Sequence, residues 1–208
     1  MTLTTLKYLM WFLNAYSDEI KPEARIADYG GTDNPDTVIF PQVVKKSLAG
    51  AGRLNYHALD FDSGVDLRKP LRGPKYDVGI CMDLLEHCSD PFLVAHNIRD
   101  SLRHNALLFV TAPFIWDPHF FPKDYWRFTP QGIEELFSAE GDPKAMDVLA
   151  LGTVRDPNKG EFLQLCRVVA VFRKAKKKDR ERDDAAGSIF PPEWGVRGFD
   201  KTTFGMVP

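Results

Sequence analysis

Apolar positions along the 208-residue chain follow two rhythms, short dense runs and stripes at helical spacing. Near the start, Leu3, Leu6, Leu9 (or Met10) and Leu13 recur at helical intervals, which predicts an amphipathic helix packed on the rest of the chain. "RIADY" then reads as a strand, "NPDTVIFPQVVKKSLAG" as a helix interrupted at Pro41 and ended by Gly50, and "RLNYHALDF" as a second strand. After turn signals at Pro70, Gly73 and Pro74 comes a third strand, "YDVGICM". "DPFLVAHNIRDSLRHN" opens on an Asp-Pro cap and carries a buried stripe of Phe92, Leu93, Ala95 (or His96), Ile98 and Leu102. "ALLFVTAP" is a strand that Pro113 should stop, and "TPQGIEELFSAEG" is a helix opened by Thr129 and Pro130. "MDVLALGTV" and "EFLQLCRVVAVFRK" are two strands divided by a turn at Asp156, Pro157 and Asn158.

Strands that alternate with helices predict an α/β fold, a mostly parallel sheet with helices on both faces. The final two strands, with no helix between them, predict an antiparallel hairpin on the sheet's edge. No internal repeat is present. The organisation expected is a packed N-terminal helix (1–24), one α/β domain (25–174), and a charged linker with an aromatic tail (175–208). In such open sheets ligands bind beyond the carboxyl ends of the strands, so the residues there are the ones to interrogate.

Composition narrows the classes. A formal net charge of -2 argues against a polyanion binder with a basic surface. Cys81, Cys88 and Cys166 form no CxxC pair, which suggests a reducing, cytoplasmic setting and neither a disulfide framework nor a structural zinc site. The longest apolar run of the first helix, Tyr8 to Leu13, is far short of the roughly 20 residues of a membrane span. A lid or a homodimer contact is the alternative use of that helix. "KAKKKDRERDDAAGS" reads as a solvated charged run. Beyond it, Phe190, Trp194, Phe199 and Phe204 suggest a tail that docks on the domain, on a second subunit or over a pocket.

At the end of the first strand, Asp28 is followed by Gly30 and Gly31, which permit a tight turn and a close backbone approach. A dinucleotide loop would need further glycines to seat its pyrophosphate, so this turn suits a ligand without one. At the second strand end, Asp60 or Asp62 can accept two hydrogen bonds from a ribose diol. Asp66 and Leu67 can face the edge and the flat side of an adenine. The third strand end brings Asp83, Glu86 and His87 to the same margin.

The order "RIADYGG", "YHALDFD", "VDLRKPL", "YDVGICMDLLEHCSDPF", "LLFVTAPF" and "DYWRFTPQGIEELF" resembles the class I S-adenosylmethionine-dependent methyltransferases. It is most similar to small bacterial-type enzymes with an "LEH…DP" block and an "H…P.DYWRFTP.G" block. The likeness covers roughly residues 24 to 140, with a compatible hairpin to about 174. It implies a Rossmann-like seven-stranded sheet whose last strand is antiparallel, with S-adenosyl-L-methionine as cofactor. It also implies that Asp28, Gly30 and Gly31 lie at the methionine end and that Asp60 holds the ribose. Asp66, with Asp62 as alternative, reaches the adenine, and Asp83 and His87 line the methionine pocket. Two positions depart from the pattern: Thr32 replaces the last glycine of Asp-x-Gly-x-Gly, and "RHN" replaces a Pro-Gly-Gly turn.

After the fourth strand, "PFIWDPHFFPKDYWRFTP" concentrates aromatic residues in a loop at the same edge. Trp116, Phe121, Tyr125, Trp126 and Arg127 are the expected acceptor wall, while Phe114, Phe120 and Phe128 read equally well as core. Methyl transfer from a sulfonium chiefly needs alignment of acceptor, methyl carbon and sulfur. For an oxygen acceptor, His119 is the candidate general base and Asp124 either orients it or pairs with Arg127. No His, Cys or carboxylate cluster shows metal-ligand spacing, so no metal is expected. The expected function is methylation of a small molecule, a sugar or another biosynthetic metabolite, at oxygen. A noncatalytic methyltransferase-like assembly protein is the rival, and an RNA or protein methyltransferase is a third reading that the modest charge counts against.

Overall fold

A computed structural model describes residues 3–31, 55–120, 122–139, 141–142, 144–155 and 166–174. The helix expected over 34–50, Thr32, Phe121, the Asp156 turn and the tail from 175 lie outside the described residues. Six strands form one sheet: β1 (Arg25–Tyr29), β2 (Asn55–Leu59), β3 (Tyr76–Met82), β4 (Leu102–Ile115), β5 (Asp147–Arg155) and β6 (Cys166–Arg173). Their order is β2-β1-β3-β4-β6-β5. Neighbours β2, β1, β3 and β4 pair in parallel, whereas β6 pairs antiparallel with both β4 and β5. The last strand is therefore inserted inside the sheet, and β5, not the hairpin as a whole, forms the edge.

Seven strands were expected and the described residues supply six. The β2–β3 connection, with its Pro70, Gly73 and Pro74, forms turns and no strand. Chain reversal also makes the sheet's first crossover point: β1 leads outward to β2, then the chain returns to β3 on the other side of β1. Beyond the carboxyl ends of β1 and β3 lies the crevice where such sheets bind ligands.

Alternation along the strands sends side chains to two cores. Leu107, Phe109, Val169 and Val171 face one side, where α1 (Leu3–Ala15) packs through Tyr8, Leu9, Phe12 and Leu13. The Phe12 and Phe109 rings stack with centroids 5.0 Å apart. Leu108, Val110, Ala112, Val168, Ala170 and Phe172 face the other side, against α2 (Pro91–Ser101) and α3 (Pro130–Ser138). Both of these helices start as the sequence signals require. Asp90 Oδ1 accepts from Leu93 N–H at 2.9 Å and Thr129 Oγ1 from Gly132 N–H at 3.0 Å, with proline at the first helical position in each. No described helix is long and apolar enough to cross a membrane.

Candidate active site

At the end of β1 the chain turns at Gly30, whose φ of +78° suits glycine and whose N–H donates to Leu59 O at 2.8 Å. A Cβ on Gly30 would meet Leu84 Cδ1 at 2.8 Å, and one on Gly31 would meet Asp28 Oδ2 at 2.1 Å. Asp28 is buried beneath this turn and accepts from the Tyr56 hydroxyl. Its carboxylate thus supports the glycine turn from below, and Gly30 is exposed. At the end of β2, Asp60 makes only backbone hydrogen bonds, and its carboxylate has no partner among the described residues.

Asp66 and Leu67 are differently placed. Arg68 grips Asp66 with Nε at 2.9 Å and Nη2 at 3.1 Å, which holds that carboxyl below its usual range. Leu67 is buried in the core, and its carbonyl accepts from Asn97 Nδ2. Asp62 is exposed. The adenine role expected for Asp66 would use the lone pairs that the Arg68 fork leaves open.

The end of β3 carries a local distortion. Asp83 has φ +49°, a left-handed conformation unusual for a residue with a side chain. Its carboxylate accepts from Thr111 Oγ1 at 3.1 Å and from Arg167, whose Nη2 lies 3.1 Å away. Arg167 also lays its guanidinium 4.0 Å from the centre of the Trp116 ring. Sequence reasoning gave Arg167 no role. The signal was available in the antiparallel sense of β6, which brings the start of that strand to the edge where the parallel strands end.

From Asp83 the chain enters a 3-10 turn, Leu85–His87. Glu86 in this turn is 2% exposed, and its Oε2 has no hydrogen-bond partner among the described residues. Burial, reinforced by the charge of Asp83, pushes the Glu86 carboxyl up to about 8. The aromatic loop folds back over this turn: Tyr125 N–H donates to Glu86 O at 2.7 Å and Trp126 Nε1 to Cys88 O at 2.8 Å. His87 and His119 thereby meet, Nε2 to Nε2, at 3.2 Å.

Asp124 and Arg127 brace the loop. The two guanidinium Nη atoms each reach one Asp124 oxygen at 2.6 Å. The remaining Arg127 donors go to the carbonyls of Trp116, Asp117 and Trp126, so all five are used within the loop. Arg127 is accordingly a staple, and its expected contact with an acceptor has no donor left to make it. Arg127 also holds the Asp124 carboxyl well below the usual carboxylate range. Asp124 accepts from the His119 backbone N–H at 3.0 Å, and His119 Nδ1 lies 3.1 Å from its Oδ2, too oblique for a hydrogen bond. Trp116 is half-buried and Tyr125 and Trp126 are exposed, while Phe128 is core and Phe120 projects outward, 89% exposed.

A separate cavity of about 110 Å³ under the β2–β3 connection, lined by Leu59, Val65, Leu71, Tyr76 and Ser101, contains none of these groups. Its volume suits a few waters and not an acceptor with a cofactor.

The fold is that of the class I methyltransferases. The chain superposes on 1,6-didemethyltoxoflavin-N1-methyltransferase of Burkholderia thailandensis, solved with its substrate and S-adenosylhomocysteine, with a TM-score of 0.55 at 15% identity, covering 83% of this chain and 79% of that one. Magnesium protoporphyrin IX methyltransferase of Synechocystis PCC 6803, solved with S-adenosylmethionine, gives 0.51 at 17% identity, covering 82% and 78%. The [4+2]-cyclase SpnF gives 0.52 at 15% identity, covering 80% of each chain. No family model and no curated protein sequence matches the chain.

Proposed function

We propose that the protein is an S-adenosylmethionine-dependent methyltransferase that methylates an oxygen of a small molecule, a sugar or another biosynthetic metabolite. The observation that carries this reading is the tight turn at Gly30 and Gly31, where a Cβ would strike Leu84 or Asp28, set beside Asp60, whose carboxylate has no partner among the described residues. That cradle fits the methionine part of the cofactor, with Asp60 accepting from the ribose hydroxyls. Bound there, the cofactor would supply a methyl group on a sulfonium, whose carbon–sulfur bond would break as the methyl carbon is taken up by the acceptor oxygen, with the acceptor's proton leaving to the site or to solvent.

His119, whose side chain is 40% exposed beside the wall, acts as the base or the orienting donor for that proton. Trp116, Tyr125 and Trp126 then form the wall that aligns the acceptor and excludes water. A non-methylating reading is favoured by one observation, the likeness to a cyclase on the same fold.

Titration calorimetry separates these. S-adenosylmethionine and S-adenosylhomocysteine should bind and NAD should not. Asp60→Ala should weaken binding by about 1.5–3 kcal/mol, the scale of hydrogen bonds involving a charged group, with the fold intact. NAD binding without a response to either sulfur compound would refute the assignment. The acceptor itself is best sought by mass spectrometry of whatever co-purifies with the protein.

A further inference from the structure

Two arginines brace this edge of the sheet, and they spend their donors differently. Arg127 uses all of its own within the aromatic loop. Arg167, at the start of β6, is more deeply buried, with its side chain 9% exposed against 26% for Arg127. Yet only its Nε–H donates a hydrogen bond, shared between Asp83 Oδ1 at 3.1 Å and Oδ2 at 3.3 Å. Nη2 stands 3.1 Å from Oδ2, so Asp83 takes the edge of the guanidinium formed by Nε and Nη2. The other edge, formed by Nη1 and Nη2, has no acceptor among the described residues. It is not sealed off either. Nε of Arg25, Arg99 and Arg173 is shut away from solvent without a partner, and neither Nη atom of Arg167 is. Trp116 covers one face of the group, with its ring centre 4.0 Å from Cζ, and Thr111 Oγ1 steadies Asp83 at 3.1 Å.

We propose that this free edge of Arg167 binds the carboxylate of the acceptor, so that the molecule methylated is a small hydroxy acid. Two parallel N–H groups on one guanidinium match the two oxygens of a carboxylate, which fixes orientation as well as charge. Burying a guanidinium with unused donors is costly, so the edge suits an acceptor that the protein itself does not provide. Arg167 comes from β6, three strands along the sheet from β1 and its glycine turn, and its guanidinium lies against Trp116 of the acceptor wall. The edge is therefore placed for the acceptor and not for the cofactor. Glu86, whose charge would also feel this arginine, is kept in its acid form below about 8 by burial. One carboxylate, Asp83, thus shares the arginine before the ligand arrives. The sulfonium of the cofactor supplies the positive charge that offsets the second carboxylate. This pairing rests on the methyltransferase reading, whereas carboxylate binding at Arg167 does not. A phosphate carries more negative charge and would be repelled more strongly by Asp83.

The test uses the full chain, with acetate, lactate and benzoate as probes and their amides as uncharged controls. NMR titration, with and without saturating S-adenosylhomocysteine, should show at least one of the acids binding and its amide binding about tenfold more weakly or worse. Arg167→Lys keeps a positive charge beside Asp83 but has no paired edge. It should hold S-adenosylhomocysteine within about threefold of the unmutated protein and lose about tenfold or more in affinity for the acid. In the unmutated protein the acid should shift the Arg167 Nη resonances and the amide should not, a reading that survives if the variant fails to fold. No binding of any acid at tens of millimolar, equal affinity for acid and amide, or unchanged acid affinity in Arg167→Lys would overturn the proposal. So would tighter binding of inorganic phosphate at the same Nη resonances. A loss of S-adenosylhomocysteine affinity in Arg167→Lys that methylthioadenosine, which lacks the amino-acid part, does not share would also overturn it, because the edge would then hold the cofactor's own carboxylate. Carboxylate binding that depends on Arg167, with no response to S-adenosylhomocysteine, would support the site and remove the methyltransferase reading alone.

Discussion

At Gly31 the requirement is spatial. Asp28 Oδ2 occupies the place where a side chain would begin, so Gly31→Ala forces either the buried carboxylate or the turn to move. Overpacking of this kind costs about 1–3 kcal/mol. The expected outcome is a lower melting temperature and at least tenfold weaker S-adenosylhomocysteine binding. An alanine variant with wild-type affinity would show that the turn does not touch the ligand. The turn at Gly30 was legible in the sequence because its chemistry is local, a glycine after a strand that takes a positive φ. The Arg68 fork on Asp66 was not, since it depends on two side chains closing on each other in space. The Nε2 pair was illegible for a different reason. His87 and His119 are 32 positions apart, and only the fold-back of the aromatic loop through Tyr125 and Trp126 joins them.

At the scale of elements, α1 is held by its own stripe. Phe12 is fully buried and stacked on Phe109, so Phe12→Ala should cost about 3–5 kcal/mol in urea unfolding. A loss below about 1 kcal/mol would mean that the helix contributes little to the folded state. Helix starts were legible because Asp90-Pro91 and Thr129-Pro130 carry their mechanism with them. Helix and strand ends were less so. The helix expected to run to Asn105 stops at Ser101, because Leu102 pairs with Tyr76 in the sheet and Asn105 takes φ +64°. The strand expected to stop at Pro113 runs on to Ile115, since a shift of register there absorbs the proline against β6. Both outcomes depend on partner strands that no local pattern reveals.

For the whole molecule, two buried carboxyls give stability opposite dependences on pH. Glu86 is raised from 4.5 to about 8 in the folded protein, so its contribution is complete below about 4.5 and is lost as pH rises through about 8. Asp124 is lowered, so its contribution is complete above the ordinary carboxylate range and is lost as pH falls below it. The protein should therefore melt at lower temperature near pH 8.5 than near pH 5, and Glu86→Gln should flatten that fall. Equal slopes in both proteins would contradict the assignment. The inserted strand β6 also sets an order of events. β4 ends at Ile115 and its neighbour β6 begins at Cys166. At about 5–20 residues per second, a ribosome needs roughly 3–10 s to make the stretch between them. During that interval β4, a long and mostly apolar strand, has one side without its neighbour. A nascent chain in this condition offers an open template for pairing with other chains, which makes the unfinished protein a client for chaperones until its last strand is delivered.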